Sequence, residues 1–475
     1  MGLTVSHVWE AVGTGDWPWP DIGKAGLANV VVDSRLASEG SLFVALPGER
    51  TDGHLFVGDA FARGARLALV QRDVDEPVPA LCVTKTPDAR SRVQLPLCLL
   101  VDDTLVALQS LAKYWRAQHM GCRVVGITGS VGKTTTKELV AGVLGQHFET
   151  VKSEGNYNNE IGLPLTMLRL HHGVEWVVQE MGMYALGEIA HLASIARPEI
   201  GVVTNVGPTH MERLGSIEHI AQAKAELVRA LPPDGMAVLN GDDERVRAMA
   251  ELTPAERTLC YGLERHNDLW ADEIESYGLE GLNLRVHFKG QTVYMRLPIL
   301  GRHSVYGVLA ASAVGLSVGL EWEQIISGLR DERARVRLLV VPGVKGSIIL
   351  DDTYNASPDS TTAALNLLGE LDGPKVAVLG DMLELGGYEV EGHRLVGRRA
   401  AQVVDLLVGV GERGRLIADE ALAAGMSNLN VRSVASNEEV IDVLHELLPE
   451  GAIVLVKGSR GMAMEQIVSA MASGD

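Results

Sequence analysis

RVVGITGSVGKTTTKELVAGVL, residues 123–144, is the stretch of sequence that decides the fold. The apolar residues before Gly129 predict a buried strand, and residues 133–147 carry an apolar stripe with helical spacing. Between these two segments lies a short loop that contains Gly129 and Gly132. A strand, a glycine-rich loop and a helix in this order are typical of a phosphate-binding α/β domain.

The loop itself carries the chemistry of phosphate binding. Gly129 and Gly132 let backbone N–H groups turn toward an anion, and Lys133 supplies a cation for the β- and γ-phosphate oxygens. The Thr134 hydroxyl can ligate Mg²⁺, but the usual glycine five residues before Gly132 is replaced by Ile127, so the loop is a variant. No Asn-Lys-x-Asp sequence for reading guanine is evident, so ATP is favoured over GTP. The predicted ATP contacts of the loop are Gly129, Ser130, Val131, Gly132, Lys133, Thr134 and Thr135.

Length and the order of the segments predict an α/β protein of three domains. At about 150 residues per domain, 475 residues make about three domains. Residues 1–102 mix short β-like runs with turns, which predicts a small N-terminal α/β domain. Residues 103–332 alternate β-rich runs with helical segments, which predicts the helix-covered parallel sheet of a P-loop ATPase. Residues 333–475 repeat this alternation and predict a smaller Rossmann-like α/β domain.

The composition argues against nucleic acid and membranes as partners of the protein. The chain has 42 Lys and Arg against 61 Asp and Glu, and the resulting charge of -19 repels nucleic acid. We find neither a secretory leader nor an apolar run long enough for a bilayer, so we expect a cytoplasmic protein without membrane insertion. The widely spaced cysteines form no Cys-x-x-Cys pair, which favours a reducing compartment; they are Cys82, Cys98, Cys122 and Cys260.

Two polar residues follow strands of the central domain at positions suited to a metal ion. Glu180 ends the predicted strand WVVQEM, and His210 lies in the loop after GVVTNV. Because the carboxyl ends of parallel strands share one edge of the sheet, both side chains could reach the metal held by Thr134. The alternative is a solvated glutamate and a surface-loop histidine.

Lys224 occupies an unusual position on the predicted helix 216–231. The apolar stripe of this helix includes Ile220 and Leu227, and position 224 belongs to the same stripe. The alternative to burial is a side chain that bends out to solvent. Burial would lower the pKa of the lysine and leave a neutral amine, which can add CO₂ and become a carbamate. A carbamate would convert the misplaced cation into an oxygen ligand.

These motifs make the chain resemble the Mur ligases over all three domains. The N-terminal stretch DSRLASEGSLFVALPGERTDGHLFVGDAFARGA, 33–65, is similar to the module of that family that holds a UDP-sugar peptide. DDTYNASP and KGSRGM favour the branch that adds D-alanyl-D-alanine over the branch that adds the third amino acid, whose Asp-Asn-Pro-Arg sequence we do not find. The further motifs are TGSVGKTTTKE, GNYNNEIGLPLTML, EMGM, NVGPTHMERLGSIEHIAQAKAE, LGDMLELG and VLVKGSRGMAME.

The resemblance implies an ATP-dependent amide ligase that joins D-alanyl-D-alanine to UDP-N-acetylmuramoyl-tripeptide through an acyl phosphate, and it implies a monomer. Its implied catalytic residues are Lys133, Lys224 and His210, and its implied Mg²⁺ ligands are Thr134, Glu180, His210 and carbamylated Lys224. Further nucleotide contacts are Asn159, Arg337 and Asp352. The implied UDP-substrate residues are Asp33, Ser34, Arg35, Asp52, Gly53, His54, Asn156 and Asn158. For the dipeptide, the position after the strand AIVLV indicates Lys457, Ser459 and Arg460, and the resemblance implies Tyr354 and Asn355 as well.

Several of these residues have plainer interpretations. Turn and cap chemistry alone could explain Asp52-Gly53, and Ser459 could simply cap a helix between exposed basic neighbours. The family pattern after Gly-Arg-His has asparagine four residues past the histidine, near adenine, whereas Gly307 follows His303 at that spacing. This difference leaves the adenine contacts open.

Two other functions stay open on the sequence. One is another Mur-type or folylpolyglutamate-like amide ligase, which a test of acceptors would separate. The other is a nucleotide switch that hydrolyses ATP without joining two substrates. ATP consumption without a ligated product would indicate the switch.

Overall fold

The computed structural model describes the residues 2–48, 51–90, 92–155, 157–209, 211–331 and 338–473. The chain forms two compact units, of which the first comprises Met1–Gly126, His147–Met183 and Glu188–Glu199 and the second Ile127–Gln146, Tyr184–Gly187 and Ile200–Asp475. Three predicted site residues, Asn156, His210 and Arg337, lie outside the described residues. No helix within the described ranges is long and apolar enough to cross a membrane.

The first unit begins with a five-stranded parallel sheet in the order β1-β2-β3-β5-β4. Its strands are β1 (Val30–Val31), β2 (Leu42–Val44), β3 (Leu67–Val70), β4 (Ala80–Cys82) and β5 (Leu97–Leu100). The helices of this region are α1 (Val5–Val12), α2 (Pro20–Gly23), α3 (Val57–Ala62) and α4 (Thr104–Gln118). Phe43, Val57 and Cys98 belong to the apolar cluster that joins the sheet to α3.

The deciding stretch folds as predicted. Strand β6 is Arg123–Thr128, and α5, Lys133–Leu144, follows the glycine loop. Every residue of β6 except Arg123 is buried, as the apolar run requires of a strand covered on both faces. The rest of the first unit contains the parallel pair β7 (Thr150–Lys152) and β8 (Trp176–Glu180) and the helices α6 (Gly162–Met167) and α7 (Glu188–Ala196).

In the second unit, four parallel strands are followed by an antiparallel extension. The parallel strands are β9 (Ile200–Val203), β10 (Met236–Asn240), β11 (Arg257–Gly262) and β12 (Leu269–Ser276), and the antiparallel ones are β13 (Leu282–Phe288) and β14 (Gln291–Leu297). The sequence interpretation, a purely parallel sheet, missed this extension. In β13 buried and half-buried residues alternate, which is typical of an antiparallel strand with one solvated face. The helices are α8 (Met211–Leu214), α9 (Ile217–Arg229), α10 (Glu244–Arg247), α11 (Val305–Ser317) and α12 (Trp322–Leu329).

The C-terminal part of the second unit has six strands in the order β15-β16-β20-β17-β18-β19, of which only β15 is antiparallel. The strands are β15 (Leu339–Pro342), β16 (Ile348–Asp352), β17 (Lys375–Gly380), β18 (Leu406–Val410), β19 (Val431–Val434) and β20 (Ile453–Lys457). Apolar clusters cover both faces of this sheet. The helices are α13 (Pro358–Glu370), α14 (Glu389–Val403), α15 (Gly411–Ala423), α16 (Asn437–Leu447) and α17 (Glu465–Met471). The predicted α/β architecture with parallel sheets is confirmed.

Candidate active site

The phosphate loop turns sharply between β6 and α5. Gly129 has a φ of 151°, and a Cβ at this position would lie 1.8 Å from Thr204 Oγ1, so only glycine fits. Gly132, with a φ of 86°, is the N-cap of α5, and no side chain caps this helix. The N–H groups in the first turn of a helix lack partners inside the helix and form the positive end of its dipole. This end of α5 is therefore suited to an anion.

Lys133 and Thr134 lie at the start of α5. The Lys133 Nζ donates to the carbonyl oxygens of Gly129 at 2.7 Å and Ser130 at 3.1 Å, which holds the cation over the loop. Thr134 is buried and Thr135 is half-buried. The loop thus combines backbone dipoles, an ammonium group and a hydroxyl, which is the set of groups that a metal-bound triphosphate needs.

Lys224 is buried, as its place on the apolar stripe of α9 predicts. Its side chain is 2% exposed, and no residue that the structure describes forms a hydrogen bond or an ion pair with it. Burial, and then the nearby charge of Lys133, lower the pKa of Lys224 well below its usual value. A buried amine without a partner is disfavoured as a cation, so this lysine meets the chemical condition for carbamylation.

Glu180 ends β8 in the first unit and is 1% exposed. Its Oε1 accepts a hydrogen bond from Asn158 Nδ2 at 2.8 Å, so two of the predicted site residues are in contact. The neighbouring Asn159 turns elsewhere, since its Oδ1 accepts from the N–H groups of Ile161 and Gly162 and holds the turn before α6. The Asn158 amide fixes the orientation of the Glu180 carboxylate.

Most of the predicted UDP-substrate residues lie in two short turns of the first unit. The first turn contains Asp33, Ser34 and Arg35, and the second contains Asp52, Gly53 and His54. In the second turn, Asp52 Oδ1 and His54 Nδ1 are 2.6 Å apart, and His54 Nε2 accepts from the N–H of Gln71 at 2.9 Å. Arg72 donates to the other Asp52 oxygen at 2.5 Å. Both ring nitrogens of His54 are therefore used inside the protein, and His54 stabilises the shape of this turn.

The first turn presents charged groups to solvent. Asp33 accepts from the N–H and the guanidinium of Arg35, which lowers the pKa of this carboxyl, and Arg35 is exposed. Ser34, which lies between them in the sequence, is buried. At Gly53 a Cβ would lie 2.8 Å from the backbone N and O of Leu46, so glycine is required there by a close approach of the backbone.

In the C-terminal domain, the predicted dipeptide residues divide into buried and exposed groups. Lys457 is 2% exposed and donates to Asp352 Oδ2 at 2.5 Å and to the Asn355 carbonyl at 2.9 Å. Arg460 is exposed, and its guanidinium lies 5.3 Å from the centre of the Tyr354 ring. The turn at 457–460 contains two basic residues, of which Lys457 is buried and Arg460 is exposed to solvent.

The plainer interpretation of Ser459, a helix cap between exposed basic neighbours, is wrong. Ser459 precedes a short 3-10 turn but makes no side-chain cap, and its Oγ accepts instead from the N–H of Leu383 at 2.9 Å. Its own N–H donates to the Asp381 carbonyl at 3.0 Å. Ser459 therefore ties the turn after β20 to the turn after β17.

Gly307, the departure from the family pattern, lies where α11 packs against α5. A Cβ at Gly307 would lie 3.2 Å from Leu139 Cδ1 and 3.4 Å from Thr135 Cγ2. A side chain at position 307 would thus point toward α5, and glycine permits the close approach of α11 to this helix.

Asp381 and His393, to which the sequence patterns gave no role, bind backbone groups of the C-terminal domain. Asp381 Oδ1 accepts from the N–H groups of Arg413 and Gly414 at the start of α15. His393, which is completely buried, accepts from the N–H of Met382 at Nε2 and donates from Nδ1 to the Glu389 carbonyl. The motif LGDMLELG contained the signal, since an aspartate directly after a buried strand commonly binds backbone N–H groups.

With this geometry established, comparison with known proteins decides the family. Three family descriptions match in succession: "Mur ligase family, catalytic domain" over 27–114, "Mur ligase middle domain" over 127–315 and "Mur ligase, glutamate ligase domain" over 336–460. UDP-N-acetylmuramoyl-tripeptide–D-alanyl-D-alanine ligase of Bacillus subtilis is 37% identical over 98% of this chain and 97% of its own. The chain belongs to the Mur ligase family.

Solved structures of Mur ligases show the same architecture. MurF from Acinetobacter baumannii matches with a TM-score of 0.83 and 30% identity, over 99% of this chain and 98% of its own. MurF ligase from Thermotoga maritima in complex with ADP matches with a TM-score of 0.76 and 29% identity, over 93% and 96% of the two chains. The fold and the ligase class predicted from the Mur ligase motifs are confirmed.

Proposed function

We infer that this Mur ligase uses ATP to join D-alanyl-D-alanine to UDP-N-acetylmuramoyl-tripeptide. The observation that carries this function is the near full-length similarity to relatives of that name, combined with a phosphate loop of the expected geometry. The products are UDP-N-acetylmuramoyl-pentapeptide, ADP and phosphate, which makes the protein an enzyme of peptidoglycan precursor synthesis. ATP and a UDP-linked sugar are cytosolic compounds, which supports a cytoplasmic location, as do four free cysteines.

The chemistry requires that a carboxylate first acquire a leaving group. The terminal carboxylate of the tripeptide attacks the γ-phosphorus of ATP, ADP leaves, and an acyl phosphate forms. The amine of the dipeptide then attacks the acyl carbon, and collapse of the tetrahedral intermediate expels phosphate. Lys133 and the N-terminus of α5 hold the phosphates, so that negative charge gained by the leaving ADP is stabilised without rearrangement of the loop.

The proposed Mg²⁺ ligands are Thr134, Glu180, His210 and the carbamate of Lys224. Thr134, Glu180 and the carbamate offer hydroxyl and carboxylate-type oxygens, which Mg²⁺ prefers, so these three residues fit the ion, whereas His210 is proposed from the family motif alone. When bound, Mg²⁺ neutralises charge on the phosphate oxygens. The Asn158 amide, which donates to Glu180, orients the carboxylate for this role.

Carbamylation of Lys224 explains why a lysine occupies a buried position where no described residue forms a hydrogen bond or an ion pair with it. The neutral amine adds to CO₂ and loses a proton, which converts a buried cation into an anionic oxygen ligand. Nuclear magnetic resonance with ¹³C-bicarbonate tests this step, since the wild type should show a carbamate carbon resonance that Lys224→Met lacks. Equal spectra of the two proteins would refute the proposal that Lys224 is carbamylated.

The two short turns of the first unit are proposed to bind the UDP-substrate through Asp33, Ser34, Arg35, Asp52, Gly53 and His54, and Asn156 and Asn158 are proposed as further contacts of this substrate. Asn159, Arg337 and Asp352 complete the nucleotide site, and Tyr354, Asn355, Lys457, Ser459 and Arg460 form the dipeptide region. We propose domains at 1–102, 103–332 and 333–475, and the three successive family matches at 27–114, 127–315 and 336–460 support a division into three parts. The enzyme is proposed to act as a monomer.

The function is tested by phosphate release with Mg²⁺-ATP and UDP-N-acetylmuramoyl-tripeptide, with and without D-alanyl-D-alanine, and by the mass of the products. Dipeptide-dependent phosphate and a UDP-pentapeptide are expected. Phosphate without a ligated product would indicate a nucleotide switch. Ligation of a single amino acid or of glutamate to a folate instead would indicate a different amide ligase.

A further inference from the structure

Asn205, the first residue of the NVGPTH motif, contacts the phosphate loop through its side chain and its backbone. Its Oδ1 accepts from the N–H of Val131 at 2.9 Å, and its Nδ2 donates to the carbonyl of the same residue at 2.9 Å. Its backbone carbonyl accepts from the N–H of Ser130 at 3.0 Å. One residue thus contacts three consecutive peptide units of the loop, as a neighbouring β-strand would.

The segment that carries Asn205 also ties the loop through hydroxyl groups. Thr204 Oγ1 donates to the Val131 carbonyl at 2.7 Å, and Ser130 Oγ donates to the Gly207 carbonyl at 3.0 Å. The N–H of Gly207 lies 2.8 Å from the same Ser130 Oγ. The loop and the segment after β9 are therefore joined at several points on both sides of Asn205.

The segment 204–207 is itself held in place by β10 and the residues that follow this strand. Asn240 Nδ2 donates to the Thr204 carbonyl at 2.8 Å, and Asp243 Oδ2 accepts from the N–H of Val206 at 2.8 Å. The backbone on either side of Asn205 is thus fixed by β10 and the residues that follow it. A side chain on so well supported a backbone can impose its geometry on the glycine-rich loop.

We propose that Asn205 is a positioning residue that holds the phosphate loop ready for ATP. Because the N–H groups of Ser130 and Val131 already bond to Asn205, the phosphates bind the N–H groups from Gly132 onward, at the N-terminus of α5. Preorganisation removes the cost of ordering a loop that contains two glycines with positive φ. This role rests on the proposed function of the loop as the nucleotide site.

The proposal is tested by the affinity of the full-length protein for Mg²⁺-ADP, measured by calorimetry. Asn205→Ala should bind ADP about ten-fold more weakly, because the two hydrogen bonds between the Asn205 side chain and Val131 are lost. At saturating ATP its kcat should stay within about three-fold of the wild type, because excess nucleotide restores the ordered loop. Asn205→Asp keeps the acceptor for Val131 but loses the donor, and it should also bind ADP more weakly.

The matched control is Asn267→Ala. Asn267 is a buried amide of the same unit whose Nδ2 donates to Asp242 at 2.7 Å and to the Glu264 carbonyl at 2.9 Å, so its loss also removes two hydrogen bonds. We expect a similar fall in melting temperature but unchanged ADP affinity. Equal ADP affinity in Asn205→Ala and the wild type, or an equal loss in Asn267→Ala, would overturn the positioning role. A wild type that binds no ADP would instead refute the proposed nucleotide site.

Discussion

Lys457 and Asp352 face each other at the carboxyl ends of the adjacent parallel strands β20 and β16, and their side chains form an ion pair of 2.5 Å. The Lys457 ammonium also donates to the carbonyl of Asn355, in the turn that leads to α13. Because Lys457 is 2% exposed, its charge is satisfied within the protein. The pair therefore orients Asp352, which we propose as a nucleotide residue, whereas Arg460, in the turn after β20, is exposed to solvent.

Lys457→Met should destabilise the protein by about 3 kcal/mol, because breaking a buried ion pair leaves a carboxylate without its partner. Unfolding in urea measures this free energy. In the double variant Lys457→Met, Asp352→Asn the unpaired charge is gone, so part of the stability should return. Full stability of the single variant would show that the pair does not support this turn.

Lys133→Ala should lower kcat by about 10²–10³, the loss typical of one electrostatic donor at a developing charge. Its Nζ donates to the carbonyls of Gly129 and Ser130, and the loss of these two hydrogen bonds should lower the melting temperature only slightly. Steady-state phosphate release and a thermal scan measure the two effects. Near-normal turnover of the variant would refute the assignment of the phosphate loop.

Lys224→Met should lose activity and gain thermal stability. The loss of activity is expected because the variant lacks the amine of the proposed carbamate, and it should exceed about 10²-fold. The gain in stability, measured in buffer free of bicarbonate, follows because methionine can be buried without neutralising a cation. Added short carboxylates should partly restore the activity of Lys224→Ala.

The matched control for this prediction is Lys113→Met, which replaces an exposed lysine of α4. It should change neither turnover nor the melting temperature. If Lys224→Met kept full turnover, Lys224 would be a buried residue without a role in the reaction.

The stability of the C-terminal domain should fall in acid because His393 is buried in its neutral form. Burial lowers the pKa of His393, whose Nε2 accepts the N–H of Met382 and would lose this bond on protonation. Below about pH 6.5 the unfolded state binds a proton that the folded state does not, so the free energy of unfolding decreases as the pH falls.

His393→Gln should show a flatter dependence of unfolding free energy on pH between about 6.5 and 5. Urea unfolding at several pH values measures this difference between variant and wild type. Other buried histidines are present in both proteins, so the difference isolates His393. Parallel curves would contradict the prediction.

The local pattern of the sequence was sufficient for the elements around the phosphate loop. The residues 123–128 form β6 as predicted, and the helix expected at 216–231 is observed at Ile217–Arg229 with Lys224 on its buried stripe. Both predictions rest on periodicity, which arises from which face of an element is buried. The antiparallel strands β13 and β14 were missed because their apolar residues alternate with polar ones and form no continuous run.

The sequence by itself determined the α/β class, the phosphate loop and, through its motifs, the Mur ligase family, because these depend on residues that are close along the chain. Only the tertiary structure decided which polar groups are available to a ligand. Lys457 and Arg460 are three positions apart in one motif, yet Lys457 is neutralised by Asp352, 105 residues earlier in the chain, and Arg460 faces solvent. Asn205 likewise acquires its contacts with Val131 from the pairing of distant segments. Hydrogen bonds and burial join residues that are distant in sequence, and no local pattern contains them.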